Sequence, residues 1–244
     1  MQEKVIIIGG VGGSGTRVVA HLLKENGIFI GDNLNNSLDN LDWPGIPSIV
    51  KNLELTQTQK TDALRPVFND FIKNQRISRD SLTGFNKYTV AVKVPGSFHY
   101  LPFLSNIFDN MIYIHVIRHG LDMVFSNNKN QLKNWGDRFN LMPDEGEEEC
   151  YQLKYWIAAN ALANKDGAKF LGDRFYQVKY EDLCLNPKMK SQEILDFLKI
   201  NQSSNSSSYD NISLPLSFQR YKERSLSNLD PHDIQKLASF GYTV

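Results

Sequence analysis

Residues 4–19, Lys-Val-Ile-Ile-Ile-Gly-Gly-Val-Gly-Gly-Ser-Gly-Thr-Arg-Val-Val, constrain the fold more than any other stretch. Val5 to Ile8 form an unbroken β-branched run, the pattern of a strand buried on both faces of a parallel sheet. Five glycines follow in seven positions: Gly9, Gly10, Gly12, Gly13 and Gly15. Val18, Val19, Leu22 and Leu23 then recur at helical spacing. Glycine lets backbone N–H groups approach a ligand closely, and a helix start adds unpaired N–H groups and a positive dipole end. The stretch therefore predicts a strand, a phosphate cradle and a helix. A tight turn alone does not need five glycines.

The kind of phosphate is narrowed by what is missing. The nucleotide-hydrolase pattern G-x-x-x-x-G-K-[ST] fits Gly10 to Gly15 and then fails, because Thr16 and Arg17 stand where Lys and Ser/Thr belong. A dinucleotide fingerprint can be laid on Gly10, Gly12 and Gly15, with Asp32 or Asp39 as the later acidic residue. No convincing second strand leads to either aspartate.

The 244 residues suffice for one sizeable core, so a single domain over 1–244 is expected. Net charge is zero, which argues against a general attraction to nucleic acid or membrane. Cys150 and Cys184 are too few and too far apart for a disulfide framework or a zinc pattern, and the five histidines occur singly, so no metal is expected. No segment is long and apolar enough to span a bilayer. Met1 lies almost on the first strand, leaving no room for a signal peptide, so the expected location is cytoplasmic.

Further strands are predicted at Tyr88–Val94, Met111–Ile117 and Phe175–Lys179, and a short strand-like piece at Gly27–Gly31. Helices are expected over much of 45–77, after His119-Gly120, along the Tyr151, Tyr155, Ala158, Leu162 stripe, and after Asn186-Pro187. Alternating strands and helices predict a parallel α/β sheet with right-handed crossovers. Arg118 then falls at the carboxyl end of a strand, where ligands bind in open α/β sheets, with Ser126 about two turns into the following helix. An Arg and a hydroxyl there suit a second phosphate. Residues 201–208 are Asn/Ser/Gln-rich and read as a mobile loop.

Four stretches together resemble the sulfotransferases that use 3′-phosphoadenosine-5′-phosphosulfate (PAPS). They are Gly10 to Arg17, Arg118 to Ser126, Tyr180-Glu181-Asp182-Leu183 with Asn186-Pro187, and the basic segment Arg220 to Arg224. The loop is closest to that of the carbohydrate-modifying branch. The resemblance implies a three-layer α/β/α, P-loop-like fold with a central parallel sheet. It assigns Gly12, Gly13, Ser14, Gly15, Thr16 and Arg17 to the 5′-phosphosulfate, Arg118 and Ser126 to the 3′-phosphate, Tyr180 to the adenine, and Arg220 and Arg224 to the donor as further cations. PAPS would be the sulfate donor and the bisphosphate PAP the product, with no metal. The family's loop Lys is replaced here by Gly13, which leaves Arg17 and the strand-end Lys93 to offset the growing charge.

An acceptor hydroxyl also needs a base within hydrogen-bond reach. His99, just after the Lys93-Val94-Pro95 segment, is one candidate, and Asp32, Asp39 and Asp42 are the others. The expected catalytic set is Lys93, Arg17 and His99, acting on a hydroxyl or amine of a small-molecule or carbohydrate acceptor. Two alternatives remain open at this point: a P-loop kinase or phosphotransferase, and a nucleotide-binding protein without catalysis.

Overall fold

The computed structural model describes residues 3–144, 146–201 and 209–244. Four parallel strands form the sheet: β1 (Lys4–Gly10), β2 (Thr89–Lys93), β3 (Met111–Ile117) and β4 (Phe175–Lys179), in the order β2-β1-β3-β4. In register, Ile8 lies opposite Lys93 and Ile114, and Gly10 lies opposite Val116.

Along β1 the side chains alternate between two cores. Val5 and Ile7 pack among Leu64, Phe68, Leu101 and Trp156, whereas Ile6 and Ile8 pack among Val19, Leu22, Leu183 and Leu195. Both faces of β1 are thus buried, and each such isoleucine contributes roughly 1.5–3 kcal/mol of burial free energy. Helices cover the sheet on each side. On the first side are α2 (Pro47–Lys51), α3 (Gln57–Asp80), α4 (Leu101–Ile107), α5 (Gly120–Val124), α6 (Asn130–Trp135) and α7 (Glu148–Phe170). On the second side are α1 (Thr16–Glu25), α8 (Tyr180–Leu185) and α9 (Pro187–Leu198). A short α10 (Pro231–Lys236) packs near the chain end against α7. This is the expected three-layer α/β/α arrangement.

Three details differ from the sequence reading. The Gly27–Gly31 piece makes one parallel bridge, Phe29 to Val90, at the edge beyond β2. The long helix α3 has a full capping box, in which Gln59 N donates to Thr56 Oγ1 (3.3 Å) and Thr56 N donates to Gln59 Oε1 (2.9 Å). Third, α5 stops at Val124, so Ser126 lies beyond the helix. Its hydroxyl accepts from Asn128 N (3.2 Å), and Asn128 Oδ1 accepts from Asn130 N (3.2 Å). Such short side chains bond the local backbone and compete with helix propagation. Of the stretch expected to be mobile, 202–208 lie outside the described residues. Among the described residues no helix is long and apolar enough to cross a membrane.

His115 on β3 is fully buried and shares a 2.8 Å hydrogen bond with Asn160 Oδ1. Burial lowers its pKa from 6.5 to about 4, partly opposed by that bond. The fold therefore favours neutral His115, and the unfolded chain binds its proton first. This contribution is complete above pH 6.5 and is lost as pH falls toward 4. A loss of about 2 kcal/mol between pH 7 and pH 5 is expected in urea-unfolding midpoints at fixed m-value. Equal midpoints at the two pH values would rule it out.

Candidate functional site

A cleft of about 630 Å³ opens at the carboxyl ends of the strands. Each strand delivers one part of its wall: β1 the glycine loop, β2 Lys93, β3 Arg118, and β4 Tyr180 just beyond its last residue. The ladder between β1 and the chain after β2 continues past the strand, with Val94 N donating to Ile8 O (3.0 Å) and Gly96 N to Gly10 O (2.9 Å). The glycine loop and the turn after Lys93 are therefore parts of one wall.

In the loop, Gly13 and Gly15 have φ of +95° and +97°, values that disfavour any residue with a Cβ. A Cβ on Gly15 would lie 2.1 Å from Tyr180 Cδ2, and one on Gly13 would lie 3.3 Å from Met123 Cε. The backbone at position 13 thus has a left-handed shape that a lysine does not adopt without strain. Ser14 Oγ is buried and has no hydrogen-bond partner among the described residues. A buried hydroxyl of this kind calls for a ligand or water. Helix α1 starts at Thr16, directly behind it, and the exposed Arg17 lines the cleft.

Lys93 is buried, with its side chain 3 % exposed, and its ammonium donates to Ser37 O (2.9 Å) and to Asp39 Oδ1. The other carboxylate oxygen, Oδ2, accepts from Asn35 Nδ2 (3.0 Å). Asn35 Oδ1 in turn accepts from the backbone N–H of Ser37 (2.8 Å) and Asp39 (2.9 Å). The acidic loop is thereby wound round Asn35 and offers a carboxylate fixed at both oxygens. Desolvation lowers the Lys93 pKa, Asp39 raises it by bonding and charge, and Arg17 lowers it by charge. The net direction is down.

At the end of β3, Arg118 Nη2 donates to Ser217 O (3.1 Å) and Ser217 Oγ (2.9 Å) and lies 3.5 Å from Asp122 Oδ2. Asp122 Oδ2 also accepts from Gln219 N (2.9 Å). The guanidinium sits 5.4 Å from the Tyr180 ring centroid, a cation–π distance. Its buried Nε has no partner among the described residues. Arg220 is close by: it donates to Ser217 O (3.3 Å) and Phe125 O (3.2 Å). Burial first, then the charge of Arg118, lowers its pKa.

The cleft therefore brings together Gly12, Gly13, Gly15, Thr16, Arg17, Lys93, Arg118 and Tyr180 of the residues expected from sequence, with Ser14 beneath the loop and Arg220 behind Arg118. It does not bring Ser126 to the lining, and Arg224 also lies outside it. His99 corrects the expectation most clearly. The 3-10 turn Ser97–Tyr100 rotates it into the core, where it is fully buried and stacks on Trp135 at 3.9 Å. Desolvation and then the charges of Arg138 and Lys51 hold its pKa well below 6.5. His99 is not within reach of a cleft-bound acceptor. Asp39, Asn35, Ser217 and Gln131 carry contacts that sequence reasoning missed or left undecided. Only the Asn-x-x-x-Asp spacing of Asn35 and Asp39, which suits an Asx-type turn, gave a signal.

A family model described as the sulfotransferase family matches residues 6–204. The chain belongs to the sulfotransferase family. Solved sulfotransferases share its fold. The domain from the curacin biosynthetic pathway aligns with a TM-score of 0.66 at 13% identity, covering 99% of both chains. The domain from the Synechococcus PCC 7002 olefin synthase gives 0.59 at 16% identity, covering 100% of this chain and 97% of the other. Sulfotransferase STF1 from Mycobacterium tuberculosis H37Rv gives 0.53 at 14% identity, covering 98% and 77%. No curated protein matches the sequence.

The loop geometry of this sulfotransferase is testable without a ligand. Gly172 also has a positive φ, +53°, but a Cβ there meets nothing within 4 Å. Gly15→Ala is expected to destabilise by about 1–3 kcal/mol more than Gly172→Ala, because only the former drives a methyl group into Tyr180. Equal losses in thermal or urea melts would sink the claimed packing of Tyr180 on the loop.

Proposed function

We propose that this sulfotransferase moves a sulfuryl group from PAPS to a hydroxyl of a small-molecule or carbohydrate acceptor. One observation supports this most strongly. Two anion-binding surfaces, the glycine loop after β1 and Arg118 after β3, face one cleft from adjacent strands. A donor phosphorylated at both ends of its ribose suits that pair.

The residues fit such a donor. The N–H groups of Gly13, Gly15, Thr16 and Arg17 and the orphaned Ser14 hydroxyl suit the 5′ end, while the Ser14 N–H is held by Val11 O (3.0 Å). Arg118, with its unpartnered Nε and Arg220 behind it, suits the 3′-phosphate, and Tyr180 offers a ring face to the base. When bound, the donor supplies an activated sulfuryl group. The chain's residues do the rest. Asp39, fixed at both oxygens, takes the proton of the acceptor hydroxyl as its oxygen bonds to sulfur. Lys93, Arg17 and the loop N–H groups receive the charge left on the 5′-phosphate when the sulfur–oxygen bond breaks. Asn35, Ser37, Leu41 and Asn130 line the cleft beside Asp39 and carry no charge, which suits a neutral hydroxyl compound. Trp43, partly buried, and the buried Phe98, Tyr100 and Trp135 are packed on one another or on His99 and do not line the cleft.

Titration calorimetry with adenosine 3′,5′-bisphosphate and ATP tests the donor. Tight bisphosphate binding with weak ATP binding is expected, and Arg118→Ala is expected to weaken the former roughly 10–100-fold. Preference for ATP, or an Arg118→Ala variant that binds the bisphosphate normally, refutes this donor assignment.

Transfer of labelled sulfate tests the base. Asp39→Asn is expected to lower kcat by roughly 10²-fold or more while leaving bisphosphate affinity within a few-fold. His99→Gln, if folded, is expected to change kcat far less. The reverse order would return the base to His99.

A further inference from the structure

Gln131, the second residue of α6, is not part of any motif in the sequence, yet it touches both halves of the cleft wall. Its carboxamide can sit either way round. In one orientation Nε2 donates to Gly10 O (3.4 Å) and Oε1 accepts from Tyr155 Oη (3.2 Å). In the other, the oxygen accepts from Gly96 N (3.0 Å) and Gly12 N (3.2 Å), and the nitrogen donates to Tyr155 Oη (3.2 Å). Both orientations join the glycine loop to Tyr155, and the second also grips the turn that follows Lys93. A Cβ placed on Gly96 would lie 3.2 Å from Gln131 Nε2, and one on Gly12 would lie 3.7 Å from it, so the amide rests directly on both glycines.

Behind the amide stands a buried polar column. Tyr155 Oη lies 3.3 Å from His99 Nε2, and Arg138 Nη1 donates to His99 Nδ1 (2.9 Å). Because an arginine can only donate, Nδ1 is the acceptor and Nε2 carries the ring proton toward Tyr155. Burial pushes the Tyr155 hydroxyl well above its usual range, so it stays neutral. Burial lowers the Arg138 pKa as well, opposed chiefly by the charge of Asp166. The column reaches the amide through Tyr155, which stands on α7.

Position 13 has the left-handed backbone and the Met123 contact described above, so a side chain there is strained. We propose that Gln131 is a positioning residue of the donor site. Its amide ties the glycine loop to Tyr155 and to the Lys93 turn, and it lines the cleft without carrying a charge. His99 and Tyr155 act through it and do not touch the substrates.

This inference rests on the sulfotransferase reading for the nature of the anion, and the test separates the two. Adenosine 3′,5′-bisphosphate is titrated into the wild type and into Gln131→Leu, Gln131→Lys and Gln131→Glu at several salt concentrations, with thermal melts alongside. A wild type that binds no bisphosphate overturns the reading above and this proposal with it. With the wild type binding, Gln131→Lys, which loses the tie but adds a cation, is expected to bind roughly 10-fold tighter than Gln131→Leu with a steeper salt dependence, and Gln131→Glu roughly 10-fold weaker than the wild type or worse. Gln131→Leu is expected to raise the dissociation constant and to lower kcat for transfer together, since it frees the two loops from each other. If Gln131→Leu does not fold, the opposed Lys and Glu variants carry the test. A merely structural role would lower the melting temperature of both without separating their affinities. Matching affinities for the Lys and Glu variants, or a folded Gln131→Leu variant that binds and turns over like the wild type, overturns the proposal while the sulfotransferase reading stands.

Discussion

Burial of β1 on both faces is the constraint on which the rest depends. Val5 to Ile8 leave no solvent-facing side, so helices must cover the sheet above and below. A parallel sheet has all its strand ends of one kind at one edge, and that edge is where backbone turns are free to meet a ligand. The cleft is a consequence of this geometry. Glycine loop, Lys93, Arg118 and Tyr180 converge because each follows its strand out of the same edge.

Charge in the cleft is arranged in two groups. Lys93 is matched to Asp39 and a backbone carbonyl, and Arg118 to Asp122 and Ser217. Buried cations of this kind are tolerated because each is bonded, and removing one partner costs more than the pair contributes. Orphaned atoms remain at both ends, Ser14 Oγ and Arg118 Nε. Under the proposal above, those are the positions where the donor would add hydrogen bonds that the protein does not make for itself.

The four strands were legible for different reasons: the buried β1, β2 and β3 as short apolar, largely β-branched runs, and the mostly half-buried β4 by its aromatic and β-branched residues. The glycine loop and Arg118 were legible for a related reason: local backbone shape and strand-end position are near-sequence properties. The Lys93–Asp39 pair was not, since its partners are 54 residues apart and meet only when the Asn35 turn folds against β2. His99 misled because proximity in sequence to Lys93 says nothing about direction, and a 3-10 turn sends it inward. The place of Ser126 within a helix was misread: the Ser126–Asn130 run bonds its own backbone beyond the end of α5 at Val124. Gln131 gave no sequence signal at all. Its significance comes from four groups on three separate segments.

The contact between Arg118 and Ser217 joins residues 99 positions apart in the chain. His119 with Thr243 O (3.1 Å) and Tyr242 Oη with Glu181 (3.0 Å) fasten the same region to the last residues. Closing so long a loop carries an entropic cost that only docked tertiary contacts repay. All four strands end by Lys179, so the sheet and its glycine loop lie wholly before this closing segment in the chain. The Arg118 side of the cleft thus hangs on contacts of long sequence separation, whereas the glycine-loop side follows directly from its own strand and helix.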